Sequence, residues 1–352
     1  MAYTTINKSG DYFNTITYTG NDTDGRTITG VGFQPDFSWV KARSSAFSHY
    51  LIDALRYDSG ASKYLKLDSS STSADETPSG AGWISTLNSD GYVCKNGTSN
   101  TNNCNENGVT YASWNWKANG SGSANTDGTI TSTVSANTTA GFSIATWTGT
   151  GSSGSVGHGL GGVDCMIIKD LSNSRDFYFW QKTMAYNTRL ELNNTEAFTT
   201  NTDNMTALPD ATKINMDVST QNNGSGNNYV GYFFQEKTGY SKFGSYTGNS
   251  STDGSFIYTG FKPAFVLIKI TNDTGENWQM YDNKRTGFNV DNNMLRANLS
   301  DAEQTDDDID LLSNGFKLRR SSGAFNSDGA NYIFMAFAEA PLVGSNNVPA
   351  NA

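Results

Sequence analysis

Short stretches in which every second residue is apolar recur along the chain, and they predict β-strands that bury one face. The clearest stretches are residues 111–116, 229–234 and 332–337. Trp114 and Trp116 lie on the apolar face of the first stretch, so we expect both to be core residues and not a platform for stacking sugars. Helical periodicity is weak, and residues 46–57 are the best candidate for a short helix or turn.

Two motifs precede these strands in a constant order and predict three diverged copies of one unit of about 100 residues. The first motif is an aromatic residue followed by Thr-Gly, at Tyr18, Trp147 and Tyr246. The second is an apolar strand that ends in a lysine 22 or 23 residues further on, at Lys41, Lys169 and Lys269. A residue shared by all copies usually serves the fold, so the lysines are predicted to close exposed strand ends. In the same alignment Cys165 takes the place of Phe37 and Phe265, which predicts a core position.

The pattern predicts an all-β protein of three tandem antiparallel β-sandwiches, of jelly-roll or concanavalin-like type. We place copy 1 at residues 1–118, copy 2 at 141–239 and copy 3 at 240–341, with a polar tail at 342–352. Residues 119–140 are rich in Gly, Ser, Thr and Asn and are interpreted as a linker, with an extra edge strand at 128–134 as the alternative. Strand exchange between neighbouring copies, giving fewer and larger sandwiches, is a further alternative.

Copies 1 and 3 share a hairpin signal that copy 2 lacks. Ser89-Asp90-Gly91 and Ser313-Asn314-Gly315 each separate two short strand-like runs. Asp-Gly and Asn-Gly supply the positive φ angles of tight hairpin turns, so we predict a hairpin at each position.

Composition and charge restrict the partners. The net charge is −10 with pI near 4.7, and there is no run of basic residues, so nucleic acid is not an expected partner. No apolar run approaches 18 residues and no secretory signal precedes the first strand, so membrane insertion is not expected either. Cys94 and Cys104 could form a disulfide or could both be small core residues, and the second interpretation is preferred.

Candidate chemistry is sparse, so no catalytic residue and no cofactor is predicted. The two histidines, His49 and His158, have no zinc-ligand spacing, and no Gly-x-Ser-x-Gly elbow is present. The carboxylates Glu191 and Glu196 lie on or near an alternating strand, where charged residues should face solvent.

An acidic stretch offers the one candidate cation site. Its central residues are Asp306, Asp307 and Asp308, whose oxygens could bind a hard cation such as calcium. Function in a repeat protein is expected in the parts that differ between copies. We therefore single out residues 59–81, 96–107, 194–204 and 289–308, with the aromatic residues Tyr50, Tyr57, Trp83 and Tyr186 as possible sugar-stacking groups.

The motifs together resemble a family of tandem-repeat proteins of tailed bacteriophages, especially marine ones. The resemblance lies in Tyr-Thr-Gly, Gly-Phe-x-Pro-x-Phe-x-x-x-Lys, Ser-Asp/Asn-Gly-Tyr/Phe and Tyr-x-x-Trp-Asn-Trp-Lys, over residues 18–117, 147–236 and 246–339. Copy 2 departs from it by lacking the proline and the Ser-Asp/Asn-Gly step. In that family the proteins are met among virion genes, sometimes beside laminin-G-like or concanavalin-like modules.

The resemblance implies a non-enzymatic structural protein of the virion, made in the host cytoplasm and exposed on the particle. It would be a capsid decoration or a tail-fibre or appendage subunit, with other virion proteins as partners and a homo-oligomeric state. The alternative is a glycan-binding adhesin or depolymerase on the tail that contacts a host surface glycan. A bacterial surface adhesin is a third hypothesis, and it would need an export route.

Overall fold

The computed structural model describes residues 3–57, 63–68, 80–100, 103–200, 203–285, 292–306 and 308–341. Apart from the short 3-10 turn Ser9–Asp11, its regular elements are β-strands, and every ladder between them is antiparallel. The prediction of an all-β protein with antiparallel sheets is confirmed. No helix in the described parts of the chain is long and apolar enough to cross a membrane.

Copy 1 forms a large and a small sheet. Its strands are β1 (Phe13–Thr19), β2 (Arg26–Thr29), β3 (Phe37–Ala42), β4 (His49–Asp53), β5 (Leu65–Leu67), β6 (Trp83–Asn88), β7 (Gly91–Lys95) and β8 (Thr110–Trp116). The large sheet has the order β1-β8-β3-β4-β5 and the small one β2-β7-β6. The segment 46–57 contains β4, so the helical interpretation is wrong; β4 pairs with β3 over four residues and all five of its residues are buried.

Copy 2 has the largest sheet. The strands from residue 123 onward are β9 (Ser123–Asn125), β10 (Ser132–Asn137), β11 (Phe142–Thr148), β12 (Gly154–Gly157), β13 (Cys165–Asp170), β14 (Tyr178–Gln181), β15 (Thr188–Glu191), β16 (Thr199–Thr200), β17 (Lys213–Met216) and β18 (Asn228–Phe234). Its order is β16-β15-β14-β13-β18-β11-β10-β9, and β12 pairs with β17 in a small second sheet.

The linker interpretation of residues 119–140 is therefore wrong, because β9 and β10 extend the large sheet of copy 2. β10 pairs with β11 from Ser132 to Asn137. Ile130 and Val134 are the large apolar residues of this polar segment, and both are buried. The segment therefore has inward-facing apolar side chains although it is rich in Ser and Thr.

Copy 3 repeats the arrangement of copy 1. Its strands are β19 (Ser241–Thr247), β20 (Phe256–Tyr258), β21 (Phe261–Ile270), β22 (Gln279–Asp282), β23 (Asn292–Arg296), β24 (Gln304–Asp306), β25 (Ile309–Leu312), β26 (Gly315–Leu318) and β27 (Asn331–Pro341). The large sheet has the order β19-β27-β21-β22-β23-β24 and the small one β20-β26-β25.

The three large sheets share one strand order. The sequences β1-β8-β3-β4-β5, β11-β18-β13-β14-β15 and β19-β27-β21-β22-β23 have the same topology. Residues that hold the same position in this order are called equivalent below. That three copies of one ancestral unit produced this order stays an interpretation, which the topology supports.

All three large sheets turn one face to a single shared core. Trp116 of copy 1 lies at its centre, with its ring 6.3 Å from Phe234 of copy 2, and 6.1 Å and 5.5 Å from Phe265 and Phe337 of copy 3. The alternating residues of the three closing strands β8, β18 and β27 all point into this core. Three separate lobes in tandem, as expected from the sequence, would each have an inner core of their own; here the three copies bury their inner faces against each other.

The small sheets cover the outer faces of the large ones. Ile28 and Tyr92 of copy 1 pack on Val40 and Tyr111 in one outer core. Ile257 and Phe316 of copy 3 belong to a second outer core on the large sheet of that copy. Each of these two copies is therefore a sandwich that shares its inner face with its neighbours.

Both predicted hairpins are present, with the predicted positive φ at Gly91 (148°) and not at Gly315, and both glycines have a further purpose. β6 and β7 close at Asn88 and Gly91, and β25 and β26 close at Leu312 and Gly315. The turn residues between them do not have positive φ. A Cβ on Gly91 would lie 2.1 Å from Ile28 O, and one on Gly315 would lie 2.1 Å from Ile257 O. Glycine is required because the outer strand of the small sheet approaches so closely.

Candidate functional site

The three equivalent lysines are buried, not exposed at strand ends. Lys41, Lys169 and Lys269 are the penultimate residues of β3, β13 and β21, and each is 0% exposed. Burial lowers the pKa of Lys41 to about 7 and the pKa of Lys169 and of Lys269 to about 8. The expectation that they close exposed strand ends is wrong, because the loops that follow these strands fold over them.

The buried ammonium groups hold main-chain carbonyls. Lys41 Nζ donates to the carbonyl of the next residue at 2.6 Å. Lys269 Nζ donates to Glu276 O at 2.8 Å and to Thr195 O of copy 2 at 3.1 Å. These buried amines position the loops that follow their strands, and Lys269 also holds a loop at the contact between copies 2 and 3.

A buried ion pair joins copy 1 to copy 2. Asp53 Oδ2 accepts from Arg56 Nε at 2.6 Å and from the hydroxyl of Tyr232 at 2.8 Å. Arg56 and Asp53 are almost completely buried. The Tyr232 hydroxyl satisfies the carboxylate across the sheet contact, so this group is part of the framework.

The equivalent ion pair joins copy 3 to copy 1. Asp282 Oδ2 accepts from Arg285 Nε at 2.6 Å and from Trp114 Nε1 at 3.0 Å. Arg285 also contacts Glu303 at 3.1 Å, and Glu303 in turn pairs with Arg43 of copy 1 at 2.8 Å. Trp114 and Tyr232 are equivalent residues, so each pair is completed by the same strand position of a different copy.

At the contact between copies 2 and 3 the ion pair is replaced. Gln181 and Met184 stand where the other copies have aspartate and arginine, and Met335 is equivalent to Trp114. Gln181 Nε2 donates to Gly244 O of copy 3 at 3.0 Å. The contacts run from copy 1 to 2, from 2 to 3 and from 3 to 1, so the three sheets form a closed ring of contacts.

Both histidines serve the fold. Trp39 Nε1 donates to His49 Nδ1 at 2.7 Å, so Nε2 carries the proton and donates to Arg296 O at 2.9 Å and to Leu299 O at 3.1 Å in copy 3. Burial, with the nearby charge of Lys41, lowers the pKa of His49 well below its usual value. Its ring is a neutral bridge between copies 1 and 3.

His158 follows β12 as a buried residue. Its Nδ1 accepts from Leu160 N at 3.1 Å, and burial lowers its pKa.

In the described part of the candidate cation site, the carboxylate is paired with protein groups. Asp308 is buried and its carboxylate contacts the hydroxyl of Tyr281 at 2.7 Å and the guanidinium of Arg320 at 3.3 Å. Asp307 and the side chain of Asp306 lie outside the described residues. Among the residues that the structure describes, no group of three or more His, Cys, Asp or Glu side chains is arranged to hold a metal ion.

Two further acidic residues, Asp310 and the candidate Glu191, are paired as well. Asp310 lies 3.2 Å from Arg319, and Glu191 lies 3.0 Å from Arg189. These pairs separate the acidic residues from one another instead of collecting them around one point. Most of the segment 59–81 lies outside the described residues.

The cysteines are buried free thiols. Cys94 and Cys104 are equivalent to Leu318 and Phe325, both of which belong to the outer core of copy 3. The structure thus has them as core residues. Cys165 is buried opposite Phe234 in the ladder between β13 and β18, as its alignment predicted.

A second shared motif escaped the sequence analysis. An asparagine followed by two residues and a glycine precedes each closing strand, at Asn105, Asn223 and Asn326. All three are 0% exposed. Asn223 Oδ1 accepts from Thr150 N at 2.9 Å and Asn326 Oδ1 from Asn249 N at 3.0 Å, which ties each loop to the Thr-Gly motif. The constant spacing of this asparagine before the closing-strand tyrosine could have identified it.

The aromatic residues proposed for sugar stacking are mostly covered. Tyr50 is 1% exposed, and the hydroxyl of Tyr57 donates to Ser85 O at 2.7 Å. Trp83 is half-buried, while Tyr186 is exposed.

An unpredicted pair of exposed aromatic residues lies in copy 3. Phe256 and Tyr258 point out of β20 on the same side and are 43% and 57% exposed. They flank a groove of about 380 Å³ between β20 and β19, which Ser245, Thr247 and Ser255 also line. Its one charged lining residue, Lys242, pairs with Glu236 at 2.9 Å. This groove is the candidate binding site of the described surface.

The sequence comparisons give a family and no further relatives. The model of a family described as a domain of unknown function, DUF7483, matches residues 8–341. No curated protein and no solved structure matches the chain. The matched region starts just before the first 3-10 turn and ends with β27, so it spans all three large sheets. The chain belongs to the DUF7483 family.

Proposed function

We propose that the protein is a non-enzymatic structural component of a tailed-phage virion, exposed on the particle as a capsid decoration or as a tail-fibre or appendage subunit. The observation that carries this proposal is that ionisable side chains which could serve catalysis are buried and stabilise the fold instead. His49 and the pair Asp282–Arg285 are buried at contacts between sheets, where they hold the copies together, and Lys41 is buried within copy 1. Such a rigid unit suits a part that contacts other virion proteins and further molecules of its own kind.

The family resemblance supports the same proposal, since its motifs extend over most of the chain. The test is to image purified particles of the encoding phage with an antibody against this protein. We expect labelling at regular positions, on the capsid lattice for a decoration or at the tail for an appendage. Absence of the chain from washed particles would contradict the proposal.

A second candidate is a glycan-binding adhesin or depolymerase on the phage tail. The specific observation in its favour is the exposed pair Phe256 and Tyr258 beside hydroxyl-bearing side chains. Aromatic faces and hydroxyl groups can contact the apolar face and the polar rim of a sugar ring. A glycan array would test it, with Phe256→Thr as the matched variant; binding by the wild type that this variant loses would support it.

A further inference from the structure

The groove between the first strand of the large sheet and the outer strand of the small sheet differs in the three copies. In copy 2 the groove is filled by the chain itself. Ile130 N donates to Ser155 O at 2.9 Å, and Ile130 forms a parallel bridge with Val156 of β12. The following residues form β10 and pair with β11 on the other side. An extended segment thus joins the edges of both sheets.

In copy 1 a side chain closes the equivalent groove. The Arg26 guanidinium of β2 donates to Thr19 O of β1 and lies 5.6 Å from the centre of the Tyr18 ring. Asn14 Nδ2 donates to Val31 O at 3.1 Å further along. These contacts bridge the two sheets.

In copy 3 neither device is present. Ser255 stands at the position of Arg26, and Lys242 at the position of Asn14. Among the described strands, β19 and β20 each have a neighbour on one side only. At the positions of Phe256 and Tyr258, copy 1 has Thr27 and Thr29, and copy 2 has Ser155 and Gly157.

We propose that the open groove of copy 3 binds an extended, uncharged segment of another polypeptide, which adds a strand between β19 and β20. The segment in copy 2 shows what the shared geometry accepts. Residues 128–133 read Gly-Thr-Ile-Thr-Ser-Thr, with one β-branched apolar side chain directed inward. Six residues in extended form span about 20 Å, and main-chain hydrogen bonds provide most of the affinity in such strand addition.

The charges and side chains of copy 3 fit this partner. Lys242 is neutralised by Glu236, so the groove favours an uncharged ligand. Glu236 also accepts from Phe243 N at 3.3 Å, which covers the first half of the β19 edge. The open part therefore begins near Ser245, which is equivalent to Thr146, and Thr146 pairs with Thr133 of β10. Phe256 and Tyr258 would contact side chains of the added strand. The proposal does not depend on the virion role.

The experiment uses a fluorescent peptide of residues 128–135 and the full chain, with binding followed by fluorescence polarisation. We expect saturable binding, with increased protection from hydrogen exchange in β19 and β20 and not in β11 and β12. Ser255→Arg introduces the residue that closes the groove in copy 1, and it should weaken binding by about tenfold or more. Ser152→Arg adds the same charge on an exposed loop of copy 2 and should leave binding unchanged.

A second variant tests the same groove in case Ser255→Arg does not fold. Phe256→Thr with Tyr258→Thr carries the residues of copy 1 and should also weaken peptide binding, while a peptide with aspartate in place of Ile130 should not bind. Absence of peptide binding up to about 1 mM would overturn the proposal. Binding of maltohexaose or an arrayed glycan that Phe256→Thr removes, without peptide binding, would assign the groove to sugars instead.

Discussion

The contact between copies 3 and 1 and the contact between copies 2 and 3 occupy the same place in the ring of sheets, and they are built from different chemistry. The first buries Asp282 and Arg285 against Trp114. The second has Gln181 donating to a main-chain carbonyl, with a methionine in place of the arginine. The ring closes in both ways.

The difference shows that the buried polar groups at this contact can be satisfied in two ways, by an ion pair or by a neutral amide. A buried carboxylate needs its cation and its cross-sheet donor, whereas an amide needs only neutral partners. We therefore expect that the aspartate and arginine of one contact can be replaced together by the glutamine and methionine of the other, but that neither can be replaced alone.

The largest loss of stability is expected when one member of the buried pair Asp282–Arg285 is removed. Asp282→Ala removes the nearer carboxylate of the buried Arg285, which keeps its contact with Glu303, and leaves the Trp114 N–H without an acceptor, so the free energy of unfolding should fall by about 3–5 kcal/mol. Urea denaturation measures this loss. The copy-2 solution, Asp282→Gln with Arg285→Met, should lose clearly less than the single change. A double variant that is less stable than Asp282→Ala would contradict the comparison.

The next effect concerns the buried lysine that all copies share. Between the lowered pKa of about 7 for Lys41 and its ordinary value of 10.5, the unfolded chain binds more protons than the folded one. The stability of the wild type should therefore rise with pH in this window. In Lys41→Met the slope of the unfolding free energy against pH should be smaller by the contribution of one proton, about 1.4 kcal/mol per pH unit. Between pH 7 and 9.5 this difference amounts to about 3 kcal/mol.

Lys169→Met is the matched variant in copy 2, and its departure from the wild type should begin near pH 8, where the lowered pKa of that lysine lies. Urea titrations at several pH values between 7 and 9.5 separate the two. Equal slopes in wild type and both variants would show that these lysines keep their ordinary proton affinity when buried.

A smaller effect is expected on the acid side. His49 is held neutral in the contact between copies 1 and 3, and its pKa is lowered. As pH falls below about 6.5 the unfolded state gains a proton that the folded state resists, so stability should drop by at most about 2 kcal/mol by pH 5. Comparing the wild type with His49→Gln by thermal unfolding at pH 7 and pH 5 checks this. If His49→Gln loses as much stability between pH 7 and pH 5 as the wild type, the loss is caused by protonation of carboxylates and not of His49.

The smallest effect isolates the cross-sheet donor. Tyr232→Phe removes the hydroxyl that donates to Asp53 and should cost about 1.5 kcal/mol. Tyr178→Phe is the control, because its buried hydroxyl has no hydrogen-bond partner among the described residues. The control should be neutral or stabilising in the same urea titration. Similar losses in both would remove the special role of the cross-sheet bond.

The strands and their buried faces could be predicted from the sequence because period-2 patterning is local. Trp114 and Trp116 were assigned to the core on that basis and Cys165 by its alignment with Phe37 and Phe265, and all three are buried. The shared core could not be predicted, since a pattern shows which face is buried and not what covers it. The lysines were misplaced for a related reason, because the pattern does not show that the loops following their strands fold back over them.

The candidate site was not predicted because function was expected in the long loops that differ between copies. Phe256 and Tyr258 lie in a three-residue strand, where both are exposed beside the groove that Ser255 also lines. Comparing the copies position by position along β2, β12 and β20 would have identified the aromatic pair. That the groove of copy 3 is open could not be predicted from the sequence. The segment that fills the equivalent groove of copy 2 was interpreted as a linker, so the sequence did not show that such a groove exists.

The central claim is that the three sheets share one core and therefore unfold together. Trp116→Ala removes the ring at its centre and should cost about 3–5 kcal/mol. In hydrogen exchange followed by mass spectrometry, we predict that this variant lowers protection in β18 and β27 as much as in β8. A loss confined to the sheet of copy 1 would contradict the shared core.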